Sequence, residues 1–459
     1  MYLIGGGRLV THDRLLPFLE NGAVLVEGKQ IVKVGSMEDL AAAYPDAKLI
    51  DARGGIIMPG LINAHTHFYS YPGRGLTLPG FAPKDHYEAL RGRIWKIESN
   101  LELYDCFYAA YAAAMECIHC GVTTVFDHHA SSGGASGTLL TIAGAVEDCG
   151  LRACLSYETS QRCGYNACCD GIAENEEFIN YCGSMPTERI RAMFGLHAPS
   201  TLSDLDLEDC VKRNNGRTGF HIHVSESADD TCLSMHAYGL RPVERLLAQG
   251  ILGERTIAAH CVHAIDEELD ILAETGTFVV NNPQSNMSNA VGCARVPDML
   301  KRGIRVCLGT DSYTSDMLES ARALIFAQRQ NTGLPDYGAK EASDILFENN
   351  RLLASRYFGE GIGMIREGSP ADIIILDHKS YAPIDASNYA SHILFGASGH
   401  DCTMTMVGGR ILMLDRRIVS VKEDELKASI TESIGELWKR IKDRDDSSYK
   451  WSCPILPLR

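Results

Sequence analysis

The chain is 459 residues long, 45% hydrophobic, and carries a formal net charge of −16, which is length enough for one large catalytic domain and a smaller one. So acidic a balance excludes the basic footprint that nucleic acid demands and disfavours anionic membrane surfaces. The opening "MYLIGGGRLVTHD" lacks a basic start followed by a long apolar run, and no stretch reaches the ~18 uninterrupted apolar residues of a membrane span. A soluble, cytoplasmic protein that binds neither nucleic acid nor membrane is expected.

Residues 1–57 are rich in short strands and turns, as in "GAVLVEGKQIVKVG", and residues 364–422 read the same way in "ADIIILD" and "MTMVGGRILMLD". The two flanks are expected to meet as one small β-sandwich domain. Between them, residues 58–363 alternate short apolar, β-branched runs with helical patterns. Strands are expected at 55–62, 122–127, 151–157, 190–196, 219–224, 256–260, 277–281 and 304–310. Helices separate most of them, for example at 137–149, 204–214 and 266–275. This alternation implies a parallel sheet with helices outside it, and the count of eight points to a closed (β/α)8 TIM barrel. The rival, an open doubly wound sheet, lacks a G-x-G-x-x-G after any strand. A charged, periodic stretch at 423–442 is a predicted C-terminal helix, followed by a tail to residue 459.

Sixteen cysteines in a chain without a secretion signal read as reduced thiols. Cys117 and Cys120 form a C-x-x-C in an Ala-rich helical pattern, without the second C-x-x-C of a zinc ribbon, so packing is their expected role. Cys163, Cys168 and Cys169 are assigned no chemistry. "HYE" (86–88) fits the H-x-E of nucleic-acid base deaminases, but no P-C-x-x-C accompanies it, and it is set aside.

A barrel of this kind carries its chemistry at the C-terminal ends of its strands. Strand one ends in His65 and His67, in "NAHTHFYS". Strand five carries "HIHVSE", with His221, His223 and Glu226; strand six ends at His260, and strand eight at Asp311. Four strand ends thus bring imidazole or carboxylate to one rim, a donor set that suits one divalent metal, zinc first and iron second. The period of two sends His221 and His223 to the same side of their strand, and the pattern by itself leaves open which of them is a ligand. His223 lies closer to the rim, so His221 is the candidate for a buried barrel layer.

"PGLINAHTH", "HIHVSE", "AAHCVH" and "LGTDS" resemble the amidohydrolase superfamily, in its cytosine-deaminase and chlorohydrolase-like branch, over nearly the whole chain. "HTHFYS", "VFDHHASS", "GLHAP" and "SNMSNAVG" look most like the aminohydrolases called SsnA. The resemblance implies metal ligation by His65, His67, His223 and Asp311. It implies proton transfer by Glu226, and orientation of the attacking water by His260. The segment "RAMFGLHAPS" has no lysine to bridge two metals, which implies a single ion; His197 stands there, similar to a substrate-contacting histidine of related deaminases. His128 and His129, after strand two beside Asp127, are further candidates for substrate contact or for support of His67. Asn281 replaces a histidine frequent in this branch. By resemblance, too, a homodimer or larger homo-oligomer is expected.

These features imply a metal-dependent aminohydrolase or deaminase that cleaves a C–N bond of a purine-like nitrogen heterocycle with a metal-activated hydroxide. Asp311 and His260 would take the water's proton, and Glu226 would protonate a ring nitrogen and then the leaving nitrogen. Two alternatives stand beside it: ring opening of a cyclic amide, and a non-catalytic barrel with a vestigial site. Ammonia release separates deamination from ring opening. Specificity is expected in the loops 69–95 and 157–171.

Overall fold

Pro59 and Gly60 divide what the sequence reads as one strand at 55–62. In the computed structural model, which describes residues 1–185, 187–449 and Trp451, Ile56–Pro59 belongs to the flanking sheet. The barrel begins beyond Gly60 with β1, Leu61–Thr66. A Cβ at Gly60 would meet the Thr123 side chain at 2.1 Å, so the chain can cross this closely from one sheet to the next only at glycine.

Seven more strands follow, β2 (Val122–His129), β3 (Arg152–Tyr157), β4 (Ile190–Ala192 continued by Phe194–Leu196), β5 (Phe220–Val224), β6 (Ile257–His260), β7 (Phe278–Asn281) and β8 (Val306–Leu308). All pair in parallel. β1 to the first half of β4 form one sheet, and the second half of β4 to β8 form another. The expected fourth strand is therefore broken at Met193, and its two halves knit the sheets together. At the opposite seam Thr66 pairs with Asp311, and the Thr310 and Asp311 amides both donate to the His65 carbonyl at 3.0 Å. A Cβ at Gly309 would come within 2.8 Å of that same oxygen, so glycine permits the seam. The result is a TIM barrel. Every residue of β1, β2 and β3 is buried, as expected of strands covered on both faces, and this is why they read as continuous apolar runs.

The helices lie where the periodicity places them, at Thr138–Cys149, Asp204–Asn214 and Asp266–Thr275 among others. Asp204–Asn214 shows why: the Ser203 hydroxyl accepts from the Asp206 amide while the Asp206 carboxylate accepts from the Ser203 amide, a reciprocal cap that fixes the helix start.

Both chain ends build one nine-stranded mixed sheet, rather than two separate layers. Its order is Arg417–Ile418, Arg410–Leu414, Cys402–Val407, Ile373–Leu376, Ile56–Pro59, Tyr2–Val10, Phe18–Glu27 and Gln30–Ser36, with Lys48–Asp51 also on Tyr2–Val10. Ile56–Pro59 is the stitch, parallel to Tyr2–Val10 and antiparallel to Ile373–Leu376. The sheet folds over, since the Ile31 amide donates to Ser369 O and the Ala371 amide to Lys29 O, each at 2.9 Å. Ile4, Leu9, Val24, Ile57, Ile373 and Met404 fill the enclosed space. Below the barrel, the buried Arg152 of β3 pairs with the buried Asp372 carboxylate and ties this sheet to it.

The helix Glu423–Asp443 lies against helix Leu103–His119, with Ser433 donating to Asp105 at 3.0 Å and Trp438 Nε1 to Pro72 O at 2.6 Å. Residues 452–459 of the expected tail lie outside the described residues. Among the described residues no helix is long and apolar enough to cross a membrane, and every cysteine is a free thiol. Cys117 and Cys120 are buried in packing.

Candidate active site

Where β5, β6 and β8 reach the rim, the chain breaks off through non-glycine residues with positive φ: Ser225 (47°), His260 (74°), Cys261 (49°) and Asp311 (56°). Such backbone is strained and clusters at functional sites. On β1, His65 and His67 are two residues apart, so both rings turn to the same side.

Four histidines share one design. His65 Nδ1 lies 2.7 Å from His221 Nε2. His67 Nδ1 donates to His128 O at 2.5 Å, with Glu158 Oε1 at 3.2 Å. His223 Nδ1 donates to His197 O at 2.9 Å, and His260 Nδ1 to Asn286 Oδ1 at 2.8 Å. With every Nδ1 anchored, the Nε2 atoms are left to turn inward. His67 Nε2 is 3.3 Å from both His223 Nε2 and Asp311 Oδ1, and His260 Nε2 is 3.4 Å from Asp311 Oδ2. The buried Nε2 atoms of His65 and His260 have no hydrogen-bond partner among the described residues. Buried polar atoms are rarely left so. One ligand atom each from His65, His67, His128 and His223 lies within 4.8 Å of the others, and so do those of His65, His260 and Asp311. Clustered imidazole nitrogens with a carboxylate beside them are donors of the kind a divalent metal takes.

The charges agree. Burial holds the imidazoles of His65, His221 and His223 below the usual range, with neighbouring imidazoles adding to it, so these rings are neutral donors. At His67 burial acts in the same direction, but Asp311 and Glu158 outweigh it and raise its pKa well above the ordinary value. The two carboxylates thus create a place that stabilises positive charge. Burial would raise the Glu226 carboxyl; His260 and His86 outweigh it and keep Glu226 ionised. A cavity of about 300 Å³ opens over these groups, lined among others by Tyr69, Trp95, Arg162, His197, Glu226 and Asp311.

Residues 56–412 match the amidohydrolase family. The chain is a member of that family. A short segment, 22–47, also matches an imidazolonepropionase-like composite domain of bacteria. The amidohydrolase is 33% identical over 422 residues to a 5′-deoxyadenosine deaminase of Methanothermobacter thermautotrophicus, covering 90% of this chain and 95% of the relative. It is 32% identical over 418 residues to a 5-methylthioadenosine/S-adenosylhomocysteine deaminase of Thermococcus sibiricus, covering 90% and 94%. In fold it matches an adenosine deaminase from Xanthomonas campestris with bound zinc (TM-score 0.85, 22% identity, 95% and 98% covered). It also matches the atrazine chlorohydrolase TrzN from Arthrobacter aurescens (TM-score 0.81, 23% identity, 95% and 100% covered).

The amidohydrolase brings six sequence-selected groups together at the barrel mouth: His65, His67, His223, Glu226, His260 and Asp311. His197 lines the cavity, its Nε2 3.9 Å from Glu158 Oε2. His128 and His129 do not line it. The His128 ring is fully buried and stacked on His221 at 4.3 Å. His129 turns the other way, its Nε2 3.7 Å from Cys106 Sγ and its ring on Tyr69. Successive residues of β2 face opposite sides, so the two neighbours cannot share a role. His221 takes the buried layer and anchors His65.

Sequence reasoning missed Glu158, which holds His67, and its network. Arg162 pairs with Glu158 at 3.2 Å and with Glu98 at 2.9 Å, and Tyr69 donates to Glu98 at 3.1 Å. Burial raises the Glu98 carboxyl to about 7. Asn286, which fixes His260, was also missed, although "SNMSN" contains it. The signals were faint: Glu158 and Arg162 lie in the loop after β3, and Trp95 and Glu98 lie in the middle of the long segment between β1 and β2.

Proposed function

We propose that this amidohydrolase is a deaminase with one metal ion, zinc, that replaces the amino group of an adenine-type ring by oxygen. The observation that carries it is the cluster of anchored imidazoles at the barrel mouth, with His67 Nε2 and His260 Nε2 at 3.3 and 3.4 Å from the Asp311 carboxylate and His223 Nε2 at 3.3 Å from His67 Nε2. The relatives named above supply the substrate class: an aminopurine on a 5′-modified ribose. We further propose a cytoplasmic location.

In this reading His65, His67, His223 and Asp311 hold the metal. When bound, zinc supplies the Lewis acidity that makes water a nucleophile near neutral pH. Asp311 and His260 accept the second proton of that water, the one lost as the carbonyl forms, at Asp311 Oδ2 and His260 Nε2, which lie 3.4 Å apart. Glu226, ionised at rest, takes up the first proton of the attacking water and delivers it to the ring nitrogen next to the attacked carbon, making that carbon electrophilic. The tetrahedral carbon then collapses: the proton held by Asp311 and His260 passes through Glu226 to the amino group, the C–N bond breaks, and ammonia leaves while the carbonyl forms. Water is consumed and ammonia released, one for one. His197 and the Trp95 wall close the cavity over the ring and limit bulk water.

Zinc-loaded protein incubated with 5′-deoxyadenosine, 5′-methylthioadenosine and adenosine is expected to release one ammonia per product, with the oxo-purine seen by mass spectrometry. Turnover of a cyclic amide without ammonia, and none of any aminopurine, would reject this reading. The same reading includes self-association: light scattering at micromolar concentration should give a homodimer or larger assembly, and a monomeric mass would refute it.

A further inference from the structure

We propose that His86 is a positioning residue for Glu226, its imidazole holding one carboxylate oxygen so that the other faces the reacting atoms. His86 opens a short helix, His86–Ala89, capped by Asp85, whose Oδ1 accepts from the Glu88 amide at 2.7 Å. The helix widens at Leu90–Ile94 and runs on through Trp95–Glu98. Widened turns of this kind are frequent at functional sites. One segment therefore reaches the cavity at its far end through Trp95 and Glu98, and reaches Glu226 at its near end through His86.

The two oxygens of Glu226 have different neighbours. Oε1 is 3.4 Å from His86 Nε2, and Oε2 is 3.8 Å from His260 Nε2, on the side of Asp311. The Glu226 backbone is also fixed, its amide donating to Asp230 Oδ2 at 3.2 Å while Ser200 holds Asp230 Oδ1 at 2.8 Å. A proton carrier must present one oxygen at a fixed place and keep it there as its charge changes. Contact with a buried imidazole on the opposite oxygen does that. His86 is 9% exposed and does not line the cavity, so it acts through Glu226 and not on substrate. Its other nitrogen, Nδ1, is buried without a hydrogen-bond partner among the described residues, leaving Glu226 as its polar anchor.

Acidic groups surround the ring: Glu226 from the end of β5, Asp230 from the following helix and Asp311 from β8. On its own helix, Asp85 and Glu88 are engaged by the amides of Glu88 and Lys84. Burial disfavours the imidazolium, but Glu226 outweighs it and lifts His86 to about 9. A raised value means the charge is present below that pH and lost above it.

This inference rests on the reading of Glu226 as the proton carrier, and two measurements separate their failures. The first needs no substrate. In zinc-loaded protein with labelled histidine, the His86 resonance, assigned by its loss in His86→Gln, should titrate above the ordinary imidazole value, because Glu226 favours the imidazolium. In Glu226→Gln it should titrate lower, by about one pH unit or more. An unchanged titration overturns the pairing. The second is a kinetic cycle with 5′-deoxyadenosine. His86→Gln should lower kcat roughly 10- to 100-fold with KM within about twofold, an unchanged melting temperature and unchanged zinc content. Wild-type kcat should fall at alkaline pH as His86 loses its charge, His86→Gln should lack that fall, and His86→Gln should cost nothing further in the Glu226→Gln background. Wild-type kcat in His86→Gln, or losses that multiply in the double variant, overturn the inference alone. Wild-type kcat in Glu226→Gln overturns the role of Glu226 as well.

Discussion

Glu226→Gln is expected to lower kcat by roughly 10²–10⁴-fold while the metal stays bound. Glutamine keeps the volume of the side chain and part of its hydrogen bonding, but it cannot carry a proton to a ring nitrogen. Glu226 stands 3.8 Å from His260 and is set apart from the metal donors by its own contacts with His86 and Asp230. Elemental analysis of the variant should therefore match wild type, and substrate should still bind, so that the variant serves to trap it. A variant that loses its zinc would make Glu226 a ligand. A variant with undiminished kcat would move proton delivery elsewhere, to His197 first, which lines the same cavity.

Removing the metal should abolish turnover, and the loss should follow from any one of four positions. We expect about one equivalent of zinc per chain, as a single site of three imidazoles and one carboxylate holds. His65→Ala and His67→Ala should lose it, and Asp311→Asn should be at least as damaging as Glu226→Gln, because in the proposed mechanism Asp311 would both bind the metal and accept a proton of the water. His221→Ala is the finer test. His221 touches neither substrate nor metal in this reading, but its Nε2 is 2.7 Å from His65 Nδ1. Its loss should weaken metal affinity roughly 10- to 100-fold, as removal of a partner behind a ligating histidine does. Chelation followed by titration with zinc or iron, read by ammonia release, decides which ion restores the rate. Two metals per chain at full activity would overturn the single-ion assignment.

Much of the barrel was readable because its signals are local. An apolar, β-branched run is a buried parallel strand, a serine or glycine at the right place starts or stops a helix, and two residues of spacing put His65 and His67 on one side. The same local logic placed His223, Glu226, His260 and Asp311 at strand ends. Where a local feature had two meanings the sequence failed. "GIIMPGLI" reads as one strand, yet the space beside Thr123 splits it at Gly60 and gives half to the other sheet.

What the sequence by itself determined, then, is the parallel α/β order and the chemical kinds of group at the rim, since both depend on periodicity and composition over a few residues. Only the tertiary structure decided how those groups are used. His65 and Asp311 meet because two amides from the end of β8 donate to the His65 carbonyl, a closure between residues far apart in the chain. His223 rather than His221 faces the mouth because of its depth in the barrel. His128 and His129 are adjacent and equally histidine, but opposite faces of β2 send one under His221 and the other to Cys106. Glu158 and Arg162 carry no motif, and the H-x-E that contains His86 belongs to a different chemistry and says nothing of its contact with Glu226. Their surroundings are assembled from separate loops, and a buried charge gets its partner, and so its chemistry, only when those loops pack together.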